Sequence, residues 1–122
     1  MLEGRARLEY HNSWVTAVCD QGTLEYYRWW FWKVNHIWLM RPKYGAHISV
    51  IRDRDKKDFL FSHSRQNLNI TFSYNNLLEH HSDGYVWMPV WGKELEDVRE
   101  ECGLSRKPTM PFHMTVGRSD LL

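Results

Sequence analysis

The stretch "PFHMTVGR" (residues 111–118) sets Phe112, Met114 and Val116 at every second place, with His113 and Thr115 between them. A period of two is the pattern of a strand with one face in a core. His113 and Thr115 then share the other face. A titratable ring in such a strand raises the question of a partner. The chain holds one: "AHISVIR" (46–52) places His47 and Ser49 in the same frame, with Ala46, Ile48 and Val50 on the core side. Two further His-x-Ser matches, His11-x-Ser13 in "HNSW" and His80-x-Ser82 in "HHSD", have polar middle residues and lack that frame.

Taken singly, each framed histidine reads as a satisfied core residue. As a pair they suit a definite chemistry. Histidine exchanges protons near neutral pH. Breaking a phosphodiester requires one group to take a proton from the attacking oxygen and another to protonate the leaving oxygen. Two histidines on opposite sides of a cleft supply both without a metal, and two hydroxyls can hold the phosphate oxygens as charge builds on them.

These two motifs resemble those of the 2H phosphoesterase superfamily, which includes 2′,3′-cyclic phosphodiesterases, RNA-ligase-like proteins and enzymes degrading 2′-5′ oligoadenylate. The resemblance implies an α+β fold, two pseudo-symmetric lobes with antiparallel sheets around a central cleft, over one domain spanning 1–122. It implies that His47 and His113 are general base and acid, in an order left open, and that Ser49 and Thr115 hold the phosphate. The chain length, the aromatic run "EYYRWWFWK" and "RPKYGAHISV" are also similar to small phage nucleases of the anti-CBASS type, which cut cyclic di- and trinucleotide signals. In that group aromatics stack on nucleobases; Tyr10, Tyr44, Tyr74 and Trp87 are the candidates here. The substrate implied is a cyclic oligonucleotide, with 2′,3′-cyclic phosphate or 2′-5′ linked RNA ends as the alternative. A module that binds a nucleotide without turning it over is the rival from another class, and a protein whose histidines are merely structural is the third reading.

Around the motifs, the sequence reads as alternating strands and helices. "SWVTAVCD" (13–20) is β-rich. Gly22 to about Val34 forms a helix, with Leu24, Tyr27, Phe31 and Val34 on one face. "HIWLM" (36–40) reads as a short strand, and Pro42 with Gly45 as a turn. "RDRDKKD" (52–58) reads as a solvated charged loop. "NLNITFSY" (67–74) and "GYVWMPVW" (84–91) read as strands joined around "HHSDG", with Pro89 marking an edge or a bulge. "KELEDVREEC" (93–102) is a helix with Leu95, Val98 and Cys102 on one face, and Gly103 stands at its C-terminal cap.

Composition narrows the partners. The 122 residues carry a net charge of +1, too small for an electrostatic grip on long nucleic acid. Arg41, Lys43 and Arg118 flank the motifs and are equally well read as phosphate-directed cations or as ordinary surface charges. Cys19 and Cys102 form no CxxC pair and read as reduced structural thiols. Adjacent His80 and His81 point to opposite faces of a strand and match no zinc spacing. No metal and no cofactor is expected. "MLEGRARLEY" lacks an apolar signal core, and "YYRWWFWKVNHIWLM" is too short and too polar to span a membrane. The expectation is a soluble cytoplasmic protein. Most of the seven tryptophans are expected in the core, Trp30 and Trp38 among them.

Overall fold

The computed structural model describes residues 1–11, 14–52, 65–80 and 83–122. Its elements are β1 (Leu2–Tyr10), β2 (Val15–Cys19), α1 (Gln21–Asn35), β3 (His47–Ile51), β4 (Asn69–Tyr74), β5 (Glu79–His80), β6 (Tyr85–Trp91), α2 (Lys93–Glu101) and β7 (His113–Arg118). The mixed α+β class is as expected. Most of the expected charged loop, Asp53 to Asp58, lies outside the described residues.

The strands form one sheet in the order β4-β1-β2-β3-β7-β6-β5, with antiparallel neighbours throughout. The end of β6 pairs back to β4 through Ser73–Trp91 and Tyr74–Val90, which closes six strands into a barrel. The expectation of separate sheets around a cleft is thereby replaced by one sheet closed on itself. Closure removes the unpaired edges that an open sheet would expose. The barrel interior is filled from alternate positions: Ala6 and Leu8 of β1, Val15 and Ala17 of β2, Ile48 and Val50 of β3, Met88 of β6, and Met114 and Val116 of β7 are all buried.

β1 is an element the sequence patterning missed. Its inward face carries Gly4 and Ala6 where longer apolar residues would have signalled a strand. A Cβ at 4 would lie 2.7 Å from Cε2 of Phe72, so a larger residue there would have to displace that ring.

Local chemistry accounts for the helix ends. Asp20 accepts a hydrogen bond from Gly22 N at 2.9 Å and caps α1, a contact worth about 1 kcal/mol. At the other end, His36 adopts a left-handed conformation with φ 58° and donates its N–H to Trp32 O. That corrects the expected strand at 36–40, of which only Met40 bridges to Arg118. The carbonyl of Leu39 is taken by the Arg28 guanidinium, at 2.6 Å from Nη2 and 3.1 Å from Nε, so a side chain occupies what a strand ladder would use. α2 behaves as read: Leu95, Val98 and Cys102 are buried, and Gly103 has φ 80°. Arg99, buried on the same helix, donates to Val50 O at 3.0 Å and to Ser105 O at 2.6 Å, tying α2 to β3.

The hairpin around Asp83-Gly84 also differs from the reading. Its first strand is the short β5, paired as Glu79–Trp87 and His80–Val86, whereas β4 meets β6 only at the far end. Pro89 falls between those two pairings, where the edge of β6 passes from β5 to β4. Its missing N–H therefore interrupts no ladder, and its carbonyl accepts from Asn75 N at 3.1 Å. The bulge lies instead between Val86 and Trp87.

Near the end of β7, Gly117 packs against the segment leading out of α1. A Cβ there would sit 2.5 Å from Met40 O and 2.6 Å from Leu39 Cβ. Gly117→Ala is expected to lower stability by about 1–3 kcal/mol through this overpacking. In urea denaturation the midpoint should fall while the slope is kept; an unchanged midpoint would show that the Leu39–Met40 segment yields at no cost.

The tryptophans are the largest departure from expectation. Among all seven, none is in the core: Trp14, Trp29, Trp30, Trp38 and Trp91 are exposed, Trp38 by 54%, and Trp32 and Trp87 are half-buried. The core is filled by aliphatic residues and smaller aromatics.

Candidate functional site

The two framed motifs lie on adjacent strands. β3 and β7 pair antiparallel with Ile48 opposite Met114. One step to either side sets His47 opposite Thr115 and Ser49 opposite His113, so each histidine neighbours the hydroxyl of the other motif. Side chains directly opposite on one face have Cβ atoms about 4.5–5.5 Å apart. All four are half-buried, and all face away from the barrel interior that Ile48 and Met114 fill.

The registers of the flanking strands extend this into two rows. Arg7, Val18, His47, Thr115 and Trp87 lie across one, and Glu9, Thr16, Ser49, His113 and Pro89 across the other.

Each histidine is held in the same way. Nδ1 of His47 lies 3.0 Å from Gly45 O, and Nδ1 of His113 lies 3.0 Å from Pro111 O. A carbonyl only accepts, so both Nδ1 atoms carry the proton and both Nε2 atoms present a lone pair when the rings are neutral. Neither Nε2 has a hydrogen-bond partner among the described residues. An aromatic edge flanks each ring: Tyr44 is 6.2 Å from His47 at 73°, and Trp87 is 5.7 Å from His113 at 64°.

Burial holds the His113 pKa below the ordinary 6.5, and the nearby positive Arg52 and His47 push it the same way against the raising effect of the Pro111 carbonyl. A histidine whose folded pKa is depressed binds its proton less readily when folded. Stability is therefore complete above the ordinary pKa and falls as the pH drops through the lowered value. His113→Asn is expected to lose less melting temperature than the parent between about pH 7 and about pH 5. Parallel curves for the two would remove His113 from the titration.

A cavity of about 630 Å³ opens beside the first motif, lined by Glu9, His11, Trp14, Thr16, Val18, Tyr44, His47, Ser49, Ile51 and Arg52. That volume is in the range of small-ligand sites. His113 and Thr115 are outside its lining and border it through their register with Ser49 and His47.

Of the aromatic candidates, the structure brings Tyr44 and Trp87 to the histidines. Tyr10 goes elsewhere: it is 6% exposed on the inward face of β1, and burial pushes its hydroxyl up to about 12, so it cannot stack on a ligand here. Tyr74 also goes elsewhere, packed edge-on to Tyr27 of α1 with hydroxyls 3.4 Å apart. Among the flanking cations, Arg41 is committed to Glu25 at 2.8 Å and Arg118 to Asp120 at 2.6 Å, while Lys43 lies 5.3 Å from the Tyr44 ring.

Arg52, Glu9, His11 and Trp14 also line the cavity, and the sequence reading left them out of the site, setting His11 aside for want of an apolar frame. Arg52 closes "AHISVIR", and its membership of the following charge run hid it. Glu9 comes from β1, and His11 and Trp14 stand at either side of residues 12–13 before β2. Their signal was present in the alternation of Arg7, Glu9 and His11 opposite Ala6, Leu8 and Tyr10.

Among the described residues no group of three or more His, Cys, Asp or Glu side chains is placed to hold a metal ion. No described helix is long and apolar enough to cross a membrane. Cys19 and Cys102 are buried thiols, and burial raises that of Cys19 to about 12, far from the reactive range. Comparison of the chain with family models, with curated proteins and with solved structures gives no match.

Proposed function

We propose that this protein is a metal-independent phosphodiesterase of the 2H type acting on nucleotides. The observation that carries the reading is the antiparallel juxtaposition of His47–Ser49 with His113–Thr115, each histidine anchored through Nδ1 to the carbonyl two residues before it. In this reading the scissile phosphate sits over the β3–β7 pair. Ser49 and Thr115 donate to its non-bridging oxygens, and Arg52 adds positive potential from the cavity wall. His113, kept neutral by its surroundings, takes the proton from the attacking oxygen through Nε2. His47, on the open cavity, delivers a proton to the leaving oxygen.

The favoured substrate is a cyclic oligonucleotide. A net charge of +1 and a cavity of about 630 Å³ suit a small anion better than long RNA. A part in phage counter-defence rests on the resemblance of the motifs and the aromatic helix alone. Cleavage of 2′,3′-cyclic phosphate or 2′-5′ linked ends uses the same geometry and is separated from it only by substrate.

The test is incubation of the purified protein, in EDTA, with cyclic di- and trinucleotides, 2′,3′-cyclic nucleotides and 2′-5′ oligoadenylate. Turnover in EDTA supports the reading, and the preferred substrate assigns the linkage. Tight binding of one nucleotide without turnover replaces it by a sequestering module. With turnover in hand, the acidic limb of kcat/KM is expected below the ordinary histidine value of 6.5, because the base is the residue whose pKa is lowered.

A further inference from the structure

The β1–β2 end of the cavity has a chemistry that two-histidine cleavage does not use. Trp14 is 40% exposed there and stacks on His11, with centroids 4.6 Å apart and planes at 19°. The two rings lie face over face as one aromatic stack, and the His11 ring is fixed further by Nε2 at 3.4 Å from Thr16 Oγ1. Tyr44, exposed by 73%, lines the same cavity. A flat aromatic surface in a polar-rimmed cavity is what a nucleobase stacks on.

One carboxylate shares that lining. Glu9 is half-buried opposite Thr16, and its Oε2 lies 3.0 Å from Arg7 Nη2. The guanidinium holds the group through one oxygen, leaving the second oxygen and further lone pairs for a ligand. An ionised carboxylate accepts and never donates. Among the four common bases only guanine offers two adjacent donors on its Watson–Crick edge, N1–H and the 2-amino group. Adenine and cytosine set a ring-nitrogen acceptor beside their amino group, and uracil flanks its single donor with two carbonyls. Each of these would face the carboxylate with at least one repelling lone pair.

We propose that this end of the cavity is a guanine subsite, in which Trp14 and His11 carry the base and Glu9 reads its edge. The inference rests on the nucleotide reading of the cavity and names the base that enters it. Glu9 is here a specificity residue, remote from the proton transfers at His47 and His113.

The probes are GMP, IMP and AMP, titrated by calorimetry into the full-length protein and into Glu9→Gln. IMP keeps N1–H and lacks the 2-amino group. GMP is expected to bind about tenfold or more tightly than AMP, with IMP between them. Glu9→Gln, checked for an unchanged melting temperature and for retained binding of inorganic phosphate, should lose most of that preference. Trp14→Leu should weaken all three probes together. Equal binding of GMP and AMP, a preference that survives Glu9→Gln, or no binding of any probe at millimolar concentration would overturn the subsite. Mononucleotides contain no diester, so the outcome is independent of catalysis. Selective GMP binding by a protein that cleaves nothing keeps the subsite and removes the phosphodiesterase, whereas cleavage without base preference does the reverse.

Discussion

His47→Ala and His113→Ala are each expected to lower kcat of the proposed metal-independent phosphodiesterase reaction by about 10²–10⁴-fold, the range for loss of a positioned acid or base. Both side chains are half-buried on an outward sheet face, and neither contributes to the interior of the barrel. The folded state should therefore survive the truncations, and a matching circular dichroism spectrum and melting curve would show that it does. The double variant should be little worse than either single one, because groups that act on one transition state are not additive. Substrate affinity should change modestly, since Ser49, Thr115 and Arg52 remain. A loss of affinity with kcat retained would mark the histidines as binding groups and remove them from proton transfer. Full activity in either variant would end the two-histidine reading.

Met114→Ala is expected to cost about 2–5 kcal/mol, the range for deleting a large buried apolar side chain. Met114 is fully buried between His113 and Thr115 and faces Ile48, which occupies the same place between His47 and Ser49. The two residues fill the barrel under the junction of the motif strands. Truncation opens a cavity there, and a tightly packed interior relaxes only partly around it. Urea denaturation should show the midpoint falling steeply. Activity measured well below that midpoint should fall as well, because the junction that sets His47 opposite Thr115 loses its support. A change under about 1 kcal/mol would mean that the barrel collapses around the gap, and that packing beneath the motifs does not position them.

Several features were legible in the chain because their signals are local. The alternation in "AHISVIR" and "PFHMTVGR" gave β3 and β7 and put the histidine and hydroxyl of each on one face. Leu24, Tyr27 and Phe31 marked the buried stripe of α1, and Leu95, Val98 and Cys102 that of α2. Where the reading failed, the cause was a contact distant in sequence. "HIWLM" alternates poorly and is short, and Arg28 takes the Leu39 carbonyl that would have made it a strand. Val34 lies on the predicted apolar stripe yet is 56% exposed. Tyr10 lies on the inward face of β1 with Ala6 and Leu8, a strand whose small residues at 4 and 6 hid its alternation.

What the sequence by itself determined is β2, β3, β4, β6, β7 and the two helices, the cap at Gly103, and the two matched motifs. Each follows from periods of two or 3.6 and from the conformational preferences of single residues, which need no knowledge of the rest of the chain. Only the tertiary structure decided that β3 and β7 are neighbours, that their register places each histidine beside the other motif's hydroxyl, and that β6 returns to β4 to close the barrel. Only it brought Glu9, His11 and Trp14 to the first motif and left the tryptophans outside. Strand order and closure are settled by burying all the inward faces at once and leaving no unpaired edge, a condition on the whole chain that no single stretch of it carries.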